Sequence, residues 1–446
     1  MSLFNIPKRN SLAISDVVSK AKDDYTYKPK IKLKSGSLMG KLEAIRNNVL
    51  NSLGDEKDKF ILISDNDSFI DYCTKAKLCK YVALDTETTG LDNMLADLVG
   101  VCIQGDGMKP AYVSVGHTSV VTEENFVNQV SKECIAEGLN MLIKNDTKFL
   151  MHNAYYDIVE LVNQCNIRVP VYFDTLIASN CLNENEPHSL KYLYDKYVMN
   201  GEAGVHKFAD LFAGIPINYI PSDIAGIYGA HDATMTLDLS KVLLPYLTEG
   251  TEENKACKLE KLVNEFWNIE MKMIDVVVDM KLNGMVFDFA RANQLRNKYV
   301  ELKEQALVGF NNAVNAYKPK IDSYNANGNE YIQVPVNYNS PSQISALLYD
   351  IAKVPEGICK KSPRGTGKDV IDIILHDDRF KNKPVFDIVK YLSDVKMYDK
   401  AISSFIDKLT KDAKIHNGKI HCNINLAATR TGRLASNNPR CWAHVA

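Results

Sequence analysis

The stretch Tyr81-Val82-Ala83-Leu84-Asp85-Thr86-Glu87-Thr88-Thr89-Gly90 begins as an apolar strand and ends in two acids and a glycine turn. Alternate residues of an extended chain share one face, so Asp85 and Glu87 are expected to point the same way. Two like charges this close repel each other unless a cation lies between them. One interpretation is therefore a site for Mg²⁺ or Mn²⁺, which prefer oxygen ligands. The other is a hairpin edge with two solvated acids.

The residues around this strand predict an α/β fold. Turns rich in Gly and Asp separate the strands on its C-terminal side, which is typical of antiparallel hairpins. Helices then alternate with strands, which predicts a mixed sheet with helices packed on its faces. The predicted strands are 60–63, 81–85, 98–104, 111–115 and 148–152, and the predicted helices are 67–77, 125–143, 155–163, 174–182, 190–197 and 223–247.

The rest of the chain divides into a basic N-terminal arm and a mainly helical C-terminal part. The first 60 residues hold 12 Lys/Arg against 7 Asp/Glu, and only residues 38–53 have helical spacing. Helical patterns follow at 253–280, 289–316, 342–351, 368–375 and 383–409, with a polar, turn-rich stretch at 318–339. We therefore predict three segments, namely an arm at 1–58, an α/β domain at 59–250 and a helical domain at 251–446.

Bulk composition excludes some classes of protein. The 446 residues carry a net charge of −2, which argues against a uniformly basic surface but allows a local basic groove. No apolar run is long enough to span a membrane and the N-terminus has no apolar signal core, so a cytoplasmic protein without a membrane partner is predicted. The ten cysteines form no Cys-x-x-Cys pair, which disfavours a zinc site and predicts free thiols.

Two further motifs place acids on predicted helices. Asn153 fits the N-cap of a helix on which Asp157 lies one turn later. An ordinary capped helix on the protein surface would show the same residues. Tyr228 and Asp232 are four residues apart and share a helical face. A tyrosine hydroxyl beside a carboxylate could orient a metal-held water, whereas the plainer interpretation is a half-buried Tyr next to a surface Asp.

The order and combination of these motifs resemble the DEDD exonuclease superfamily. Tyr228, with Ile227 where the His-type branch would have a histidine, resembles the Tyr-type branch. The resemblance implies a ribonuclease H-like fold and two Mg²⁺ ions, for which Mn²⁺ could substitute. Asp85, Glu87 and Asp232 would hold one ion, Asp85 and Asp157 would serve the other, and Tyr228 would orient the attacking water. It further implies that Asn153 contacts DNA, and Asp174 is expected to cap the helix that follows it.

The second half resembles family-A DNA polymerases of the DNA polymerase I type. Asn339-Ser340-Pro341-Ser342-Gln343-Ile344 resembles the family's Ser-Pro-x-Gln helix start, and residues 396–409 resemble its thumb helix. Thr429-Arg430-Thr431-Gly432-Arg433-Leu434-Ala435-Ser436 resembles the Thr-Gly-Arg-Leu-x-Ser segment that contacts primer–template duplex. The resemblance implies DNA contacts by Thr431, Arg433 and Ser436.

After Pro439 the family would continue into the palm and its metal-binding aspartates, whereas this sequence ends at Ala446. The chain alone is therefore not expected to polymerise DNA. Three explanations stay open: an interrupted coding sequence, a split polymerase whose second chain supplies palm and fingers, or a stand-alone nuclease.

The leading hypothesis is a 3′–5′ proofreading exonuclease that acts on single-stranded 3′ ends of DNA, in a polymerase fragment that also contacts primer–template. A Tyr-type exoribonuclease would have the same site, but the thumb-like and Thr-Gly-Arg-Leu segments argue against it. A DNA-binding subunit with a silent nuclease is the alternative from another class.

Overall fold

The computed structural model describes residues 35–53, 59–118, 128–201, 211–212, 215–328 and 331–437. Most of the predicted arm thus lies outside the described residues, apart from helix α1 (Ser35–Leu53), which contains the predicted stretch 38–53. The described residues form two compact units, one of residues 35–285 with 421–437 and the other of residues 286–420. Compact units need not coincide with domains, so the predicted boundaries at 58 and 250 stay predictions.

The first unit is built on a six-stranded sheet in the order β1-β4-β3-β2-β5-β6. Strands β2, β3 and β4 form antiparallel pairs, whereas β1 pairs with β4, β5 with β2 and β6 with β5 in parallel. The predicted mixed sheet and its antiparallel hairpins are therefore confirmed. The strands are β1 (Ile61–Ile63), β2 (Tyr81–Thr88), β3 (Leu98–Gly105), β4 (Ala111–Ser114), β5 (Lys148–Met151) and β6 (Val171–Asp174).

Helices cover this sheet and bury its apolar side chains in one core. They include α2 (Asn66–Ala76), α3 (Lys132–Lys144), α4 (Ala154–Cys165), α5 (Thr175–Leu182), α6 (Leu190–Tyr197) and α7 (Ser222–Leu243). In the described residues no helix is both long and apolar enough to cross a membrane.

Helix α7 lies unusually close to the sheet because two of its residues are glycines. A Cβ atom on Gly229 would stand 2.7 Å from the Sγ atom of Cys102 on β3. One on Gly226 would stand 2.6 Å from the Phe60 ring. Both distances are below van der Waals contact, so a side chain at either position would push the helix away. This close packing keeps α7 near β3, which carries Cys102, and β4, which carries Tyr112.

The single helix predicted at 253–280 is wrong, because the chain breaks once at residues 258–259 and is helical again, with a π-helical turn inside, from residue 260 to 283. The segments are α8 (Glu252–Cys257), α9 (Glu260–Glu265), a π-helical turn (Phe266–Glu270) and α10 (Met271–Asn283). Lys258 has φ 57°, and its N–H bonds the carbonyls of Asn254 and Lys255, which ends α8 without a glycine. The π-helical turn carries the buried Phe266, which packs on Phe173 with ring centroids 5.5 Å apart.

The second unit is mainly helical, as predicted, and has its own core around Phe310, Leu347 and Ile388. The polar, turn-rich stretch predicted at 318–339 is wrong in its first part, because Lys318–Ala326 form a helix with Pro319 in its first turn and Ile321 buried. The elements are β7 (Met285–Val286), α11 (Phe289–Asn315), α12 (Lys318–Ala326), α13 (Pro341–Ser345), α14 (Lys368–His376), α15 (Pro384–Lys400), α16 (Lys408–Ile415) and β8 (Lys419–Ile420), with π-helical segments at Ala346–Ile351 and Ala401–Asp407.

At His421 the chain returns to the first unit and forms a hairpin of β9 (Asn423–Asn425) and β10 (Ala435–Asn437). Tyr155 on α4 bonds the backbone on both sides of Asn423, as its hydroxyl lies 3.4 Å from the carbonyl oxygen of Cys422 and 3.4 Å from the N atom of Ile424. The hairpin is thus attached to the helix that carries Asp157.

Candidate active site

Strand β2 places Asp85 and Glu87 on one face, as the alternation predicts. A carboxylate oxygen of each and the Sγ atom of Cys102 all lie within 4.8 Å of one another. Cys102 stands directly opposite Asp85 in the β2–β3 register. The sequence did not single out Cys102, because its position beside the acids depends on which residues the two strands pair.

Asp157 joins this group from helix α4. Its side chain is buried, and one carboxylate oxygen accepts hydrogen bonds from the N–H of Thr86 at 3.1 Å and from its hydroxyl at 2.6 Å. Thr86 lies between the two acids of β2 in sequence. It therefore connects the acid on the helix to the acids on the strand, a role that the sequence did not indicate.

The hydrogen bonds at the start of α4 differ from those predicted for Asn153 and Asp174. Asn153 occupies the N-cap position, as predicted, with φ 66°, but its side chain makes no capping hydrogen bond. Asp174 caps this helix instead, accepting from the N–H groups of Asn153 at 3.2 Å and Ala154 at 2.7 Å. It also accepts from Leu176 and Ile177, at 2.8 and 3.2 Å, in the helix it was predicted to cap. The side chain of Asn153 is exposed and available for a ligand.

Tyr228 and Asp232 project from α7 together with an unpredicted lysine from α6. The Nζ atom of Lys191 donates to the Tyr228 hydroxyl, lies 3.6 Å from the centre of its ring and stands 3.5 Å from Asp232 Oδ1. The side chains of Lys191 and Asp232 are 20% and 14% exposed. The sequence signal for this lysine was weak, because one basic residue at the start of a short helix is common.

Burial and mutual repulsion make full ionisation of this cluster unfavourable. The pKa of Asp85 is raised well above its usual value, first by burial and then by the charges of Asp157, Glu87 and Asp232. Burial, followed by the charge of Asp232, raises the pKa of Glu87 to about 8. Burial raises the pKa of Asp157 to about 7, while the two bonds from Thr86 oppose the shift. Burial also raises the pKa of Asp232, and Lys191 opposes that shift.

This charge pattern fits a divalent cation. Among the residues that the structure describes, four carboxylates gather around one lysine, so their deprotonated state lacks positive charge there. Carboxylate oxygens are hard ligands of the kind that Mg²⁺ and Mn²⁺ prefer. The residues present therefore could hold a metal ion.

The three predicted primer–template contacts lie elsewhere. Thr431 and Arg433 are exposed in the turn between β9 and β10, and the Thr429 hydroxyl closes that turn by donating to the Arg433 carbonyl at 2.7 Å. Ser436 pairs with Ile424 in the hairpin. The structure thus groups these residues on one hairpin and not on β2, α4 or α7, which carry the carboxylates.

Two family models match the chain: "3′–5′ exonuclease" over residues 60–248 and "DNA polymerase family A" over residues 309–441. Together the two matches support a family-A DNA polymerase I-type chain. The family predicted from the sequence motifs is thereby confirmed. All four carboxylates lie within residues 60–248, the part of the chain that matches the 3′–5′ exonuclease model.

Bacterial relatives of this family-A chain are DNA polymerase I proteins. That of Borreliella burgdorferi is 26% identical over 397 residues, which are 87% of this chain and 38% of that protein. That of Pseudomonas aeruginosa is also 26% identical, over 85% of this chain and 38% of that protein. The chain therefore spans about two fifths of the length of these relatives, 38% in both cases.

A solved structure shares the fold. The POL domain of Pol1 from M. smegmatis, in complex with DNA primer-template and dNTP, matches with a TM-score of 0.58 at 16% sequence identity. The match covers 85% of this chain and 55% of that one. It confirms the predicted architecture of an α/β, ribonuclease H-like sheet followed by a mainly helical part.

Proposed function

We propose that this chain is the 3′–5′ proofreading exonuclease of a DNA polymerase I-like enzyme and removes nucleotides from the 3′ end of DNA. The observation that carries the proposal is the group of four acids on β2, α4 and α7, inside the region that matches the exonuclease model. A structural role would not require four carboxylates whose charges oppose one another.

The acids would hold two Mg²⁺ ions, with Mn²⁺ as a substitute. Asp85, Glu87 and Asp232 would bind one ion, and Asp85 and Asp157 would bind the other. When bound, such ions lower the pKa of a water molecule and stabilise the charge on the leaving 3′ oxygen.

The chain's own groups would orient the reactants. Burial and the neighbouring acids raise the pKa of Tyr228 above its usual value, so its hydroxyl keeps its proton. Tyr228 would therefore position the attacking water by hydrogen bonding and would not act as a base. Glu87 would contact the same water from the opposite side, and Thr86 would keep Asp157 in place.

DNA is the proposed partner. The exposed side chain of Asn153 at the start of α4 would contact the single-stranded 3′ end. The hairpin residues Thr431, Arg433 and Ser436 would contact the backbone of the primer–template duplex, which fixes the position of the DNA without reading its sequence. A second chain that supplies palm and fingers stays a prediction, and the proposed activity is hydrolysis alone.

The test uses the full 446-residue chain and a 5′-labelled single-stranded DNA oligonucleotide. With Mg²⁺ we expect a ladder of products shortened from the 3′ end, and none in chelator. Asp85→Ala and Asp157→Ala should abolish cleavage while the circular dichroism spectrum stays that of the wild type. Asp71→Ala, which removes a 63% exposed acid on α2, is the matched control and should cleave normally.

Full activity in either site variant would contradict the proposal. An RNA oligonucleotide cleaved faster than DNA would favour the exoribonuclease alternative. Binding of DNA without magnesium-dependent cleavage would favour the DNA-binding subunit.

A further inference from the structure

Lys191 is the positive side chain inside the acid cluster, and the proposed mechanism leaves it without a role. It is the second residue of α6, and its Nζ atom contacts both functional groups of α7. It donates to the Tyr228 hydroxyl and stands 3.5 Å from Asp232 Oδ1. These are the groups that would orient the water and bind one of the metal ions.

A lysine and a divalent ion cannot both keep these positions. A metal bound to Asp232 would be close to the amine, because Nζ stands 3.5 Å from Oδ1 of that carboxylate, and like charges this close disfavour one another. The side chain of Asp232 is only 14% exposed, so water screens this repulsion weakly. Entry of the metal must therefore displace the amine from Asp232.

The displaced amine has the reach to find another anion. Lysine carries its charge on a flexible four-carbon stem, and this side chain is already 20% exposed. The anion that arrives at a nuclease site with the metal is the phosphodiester of the substrate. That group gains negative charge on its oxygens as hydrolysis proceeds, which a nearby cation stabilises.

We propose that Lys191 exchanges partners, neutralising Asp232 before metal binds and contacting a non-bridging oxygen of the scissile phosphate afterwards. The inference rests on the proposed function, because it needs a phosphodiester at this site. It makes Lys191 a competitor of the metal in the absence of DNA and a catalytic residue in its presence. A purely structural lysine would instead weaken metal binding and cleavage together when removed.

The experiment compares the full-length wild type with Lys191→Met, Lys191→Arg and a control, Lys196→Met. Lys196 lies on the same helix but pairs with Glu186. Mn²⁺ affinity is measured without DNA by isothermal titration calorimetry. Single-turnover cleavage of a single-stranded DNA oligonucleotide is measured at saturating Mg²⁺.

For Lys191→Met we expect Mn²⁺ to bind at least about fivefold tighter, because a competing charge is gone. Cleavage should fall about 100-fold, the usual effect of removing one group that stabilises transition-state charge. Lys191→Arg should recover much of the cleavage, and Lys196→Met should match the wild type in both measurements.

Mn²⁺ binding to Lys191→Met that is no tighter than to the wild type would overturn the inference, as would unchanged cleavage. A wild-type chain that binds Mn²⁺ but cleaves no DNA would overturn the proposed function itself. The two failures are therefore distinguishable.

Discussion

A single carboxylate oxygen of Asp157 accepts two hydrogen bonds from Thr86, one from its backbone N–H at 3.1 Å and one from its hydroxyl at 2.6 Å. The residue between the two acids of β2 thus orients the third acid, which belongs to a helix. Both bonds favour the charged carboxylate and oppose the rise in pKa that burial causes. The contact prepares Asp157 to bind a cation.

Replacing Thr86 should therefore weaken the metal site without unfolding it. Thr86→Val keeps the β-branched shape and the backbone N–H but loses the hydroxyl. We expect metal affinity or single-turnover cleavage to fall about 10- to 100-fold, as is usual when a group that holds a metal ligand is removed. Thr86→Ser restores the hydroxyl and should recover most of the loss. Wild-type cleavage by Thr86→Val would show that the backbone bond alone is sufficient.

The acids of the site could be predicted because each lies at a local, repeating spacing. Asp85 and Glu87 follow the two-residue period of a strand, and Tyr228 and Asp232 follow one helical turn. Thr86, Cys102 and Lys191 could not be predicted in this way. Their roles depend on the pairing of β2 with β3 and on the packing of α4 and α6, which bring together residues far apart in sequence.

The same distinction explains the errors in the fold. Asn153 has the residue type of an N-cap, but the capping carboxylate comes from Asp174, at the end of a different strand. The break at Lys258 carries no glycine or proline, so no local signal marks it. Tertiary packing decides both features, and sequence periodicity does not report it.

The pKa shifts predict how stability depends on pH when no metal is bound. In the folded chain the pKa of Asp157 is raised to about 7 and that of Glu87 to about 8, above their usual values of 3.8 and 4.5. The folded state thus holds protons that the unfolded state has released, so stability falls as pH rises from about 5 to about 8. In chelator we expect the melting temperature to decrease over this interval.

Metal ions should cancel this dependence, because their ligands must be deprotonated. Mg²⁺ should raise the melting temperature more at about pH 8.5 than at about pH 5.5. Glu87→Gln removes the group with the pKa of about 8 and should flatten the curve in chelator. A melting temperature that rises with pH in chelator would contradict the assignment.

Because α7 packs closely on the sheet, we expect a glycine-to-alanine substitution in this helix to destabilise the chain. Gly229→Ala gains about 1 kcal/mol of helix propensity. Its Cβ would, however, stand 2.7 Å from Cys102 Sγ and 3.0 Å from the Tyr112 ring. Because overpacking costs about 1–3 kcal/mol, we expect a net decrease in the free energy of unfolding and a larger loss of cleavage, since Tyr228 and Asp232 move with the helix.

Gly40→Ala on α1 is the control for this substitution. No atom lies within 4 Å of its added Cβ, so the propensity gain should appear alone and stabilise the chain by about 0.5–1 kcal/mol. Urea denaturation of both variants measures the difference. A stabilising Gly229→Ala would mean that the helix can shift away from the sheet at little cost.

The buried Lys281 predicts what holds the β9–β10 hairpin on the first unit. Its side chain is 1% exposed, and Nζ donates to the carbonyl of His421 at 3.0 Å and to Asn423 Oδ1 at 2.6 Å, with Asp92 Oδ1 at 3.5 Å. Lys281→Met would remove this donor from the His421 carbonyl and from Asn423 Oδ1, and a buried acceptor left unsatisfied costs about 1–3 kcal/mol. We expect that decrease in urea denaturation, together with faster hydrogen exchange at the Ile424 amide, because the hairpin loses its anchor.

Lys272→Met is the matched control for this last prediction. Lys272 lies on the same helix α10 but is exposed, and its Nζ atom reaches only Asn268 Oδ1 at 3.4 Å. A surface substitution of this kind should change the free energy of unfolding by less than about 0.5 kcal/mol. If Lys281→Met were equally harmless, the apolar contacts of Ile424 and Leu426 with the core would be sufficient to hold the hairpin. If it loosens the hairpin, the proposed contacts of Thr431 and Arg433 with duplex DNA should weaken as well, because the hairpin that carries them would have lost its anchor.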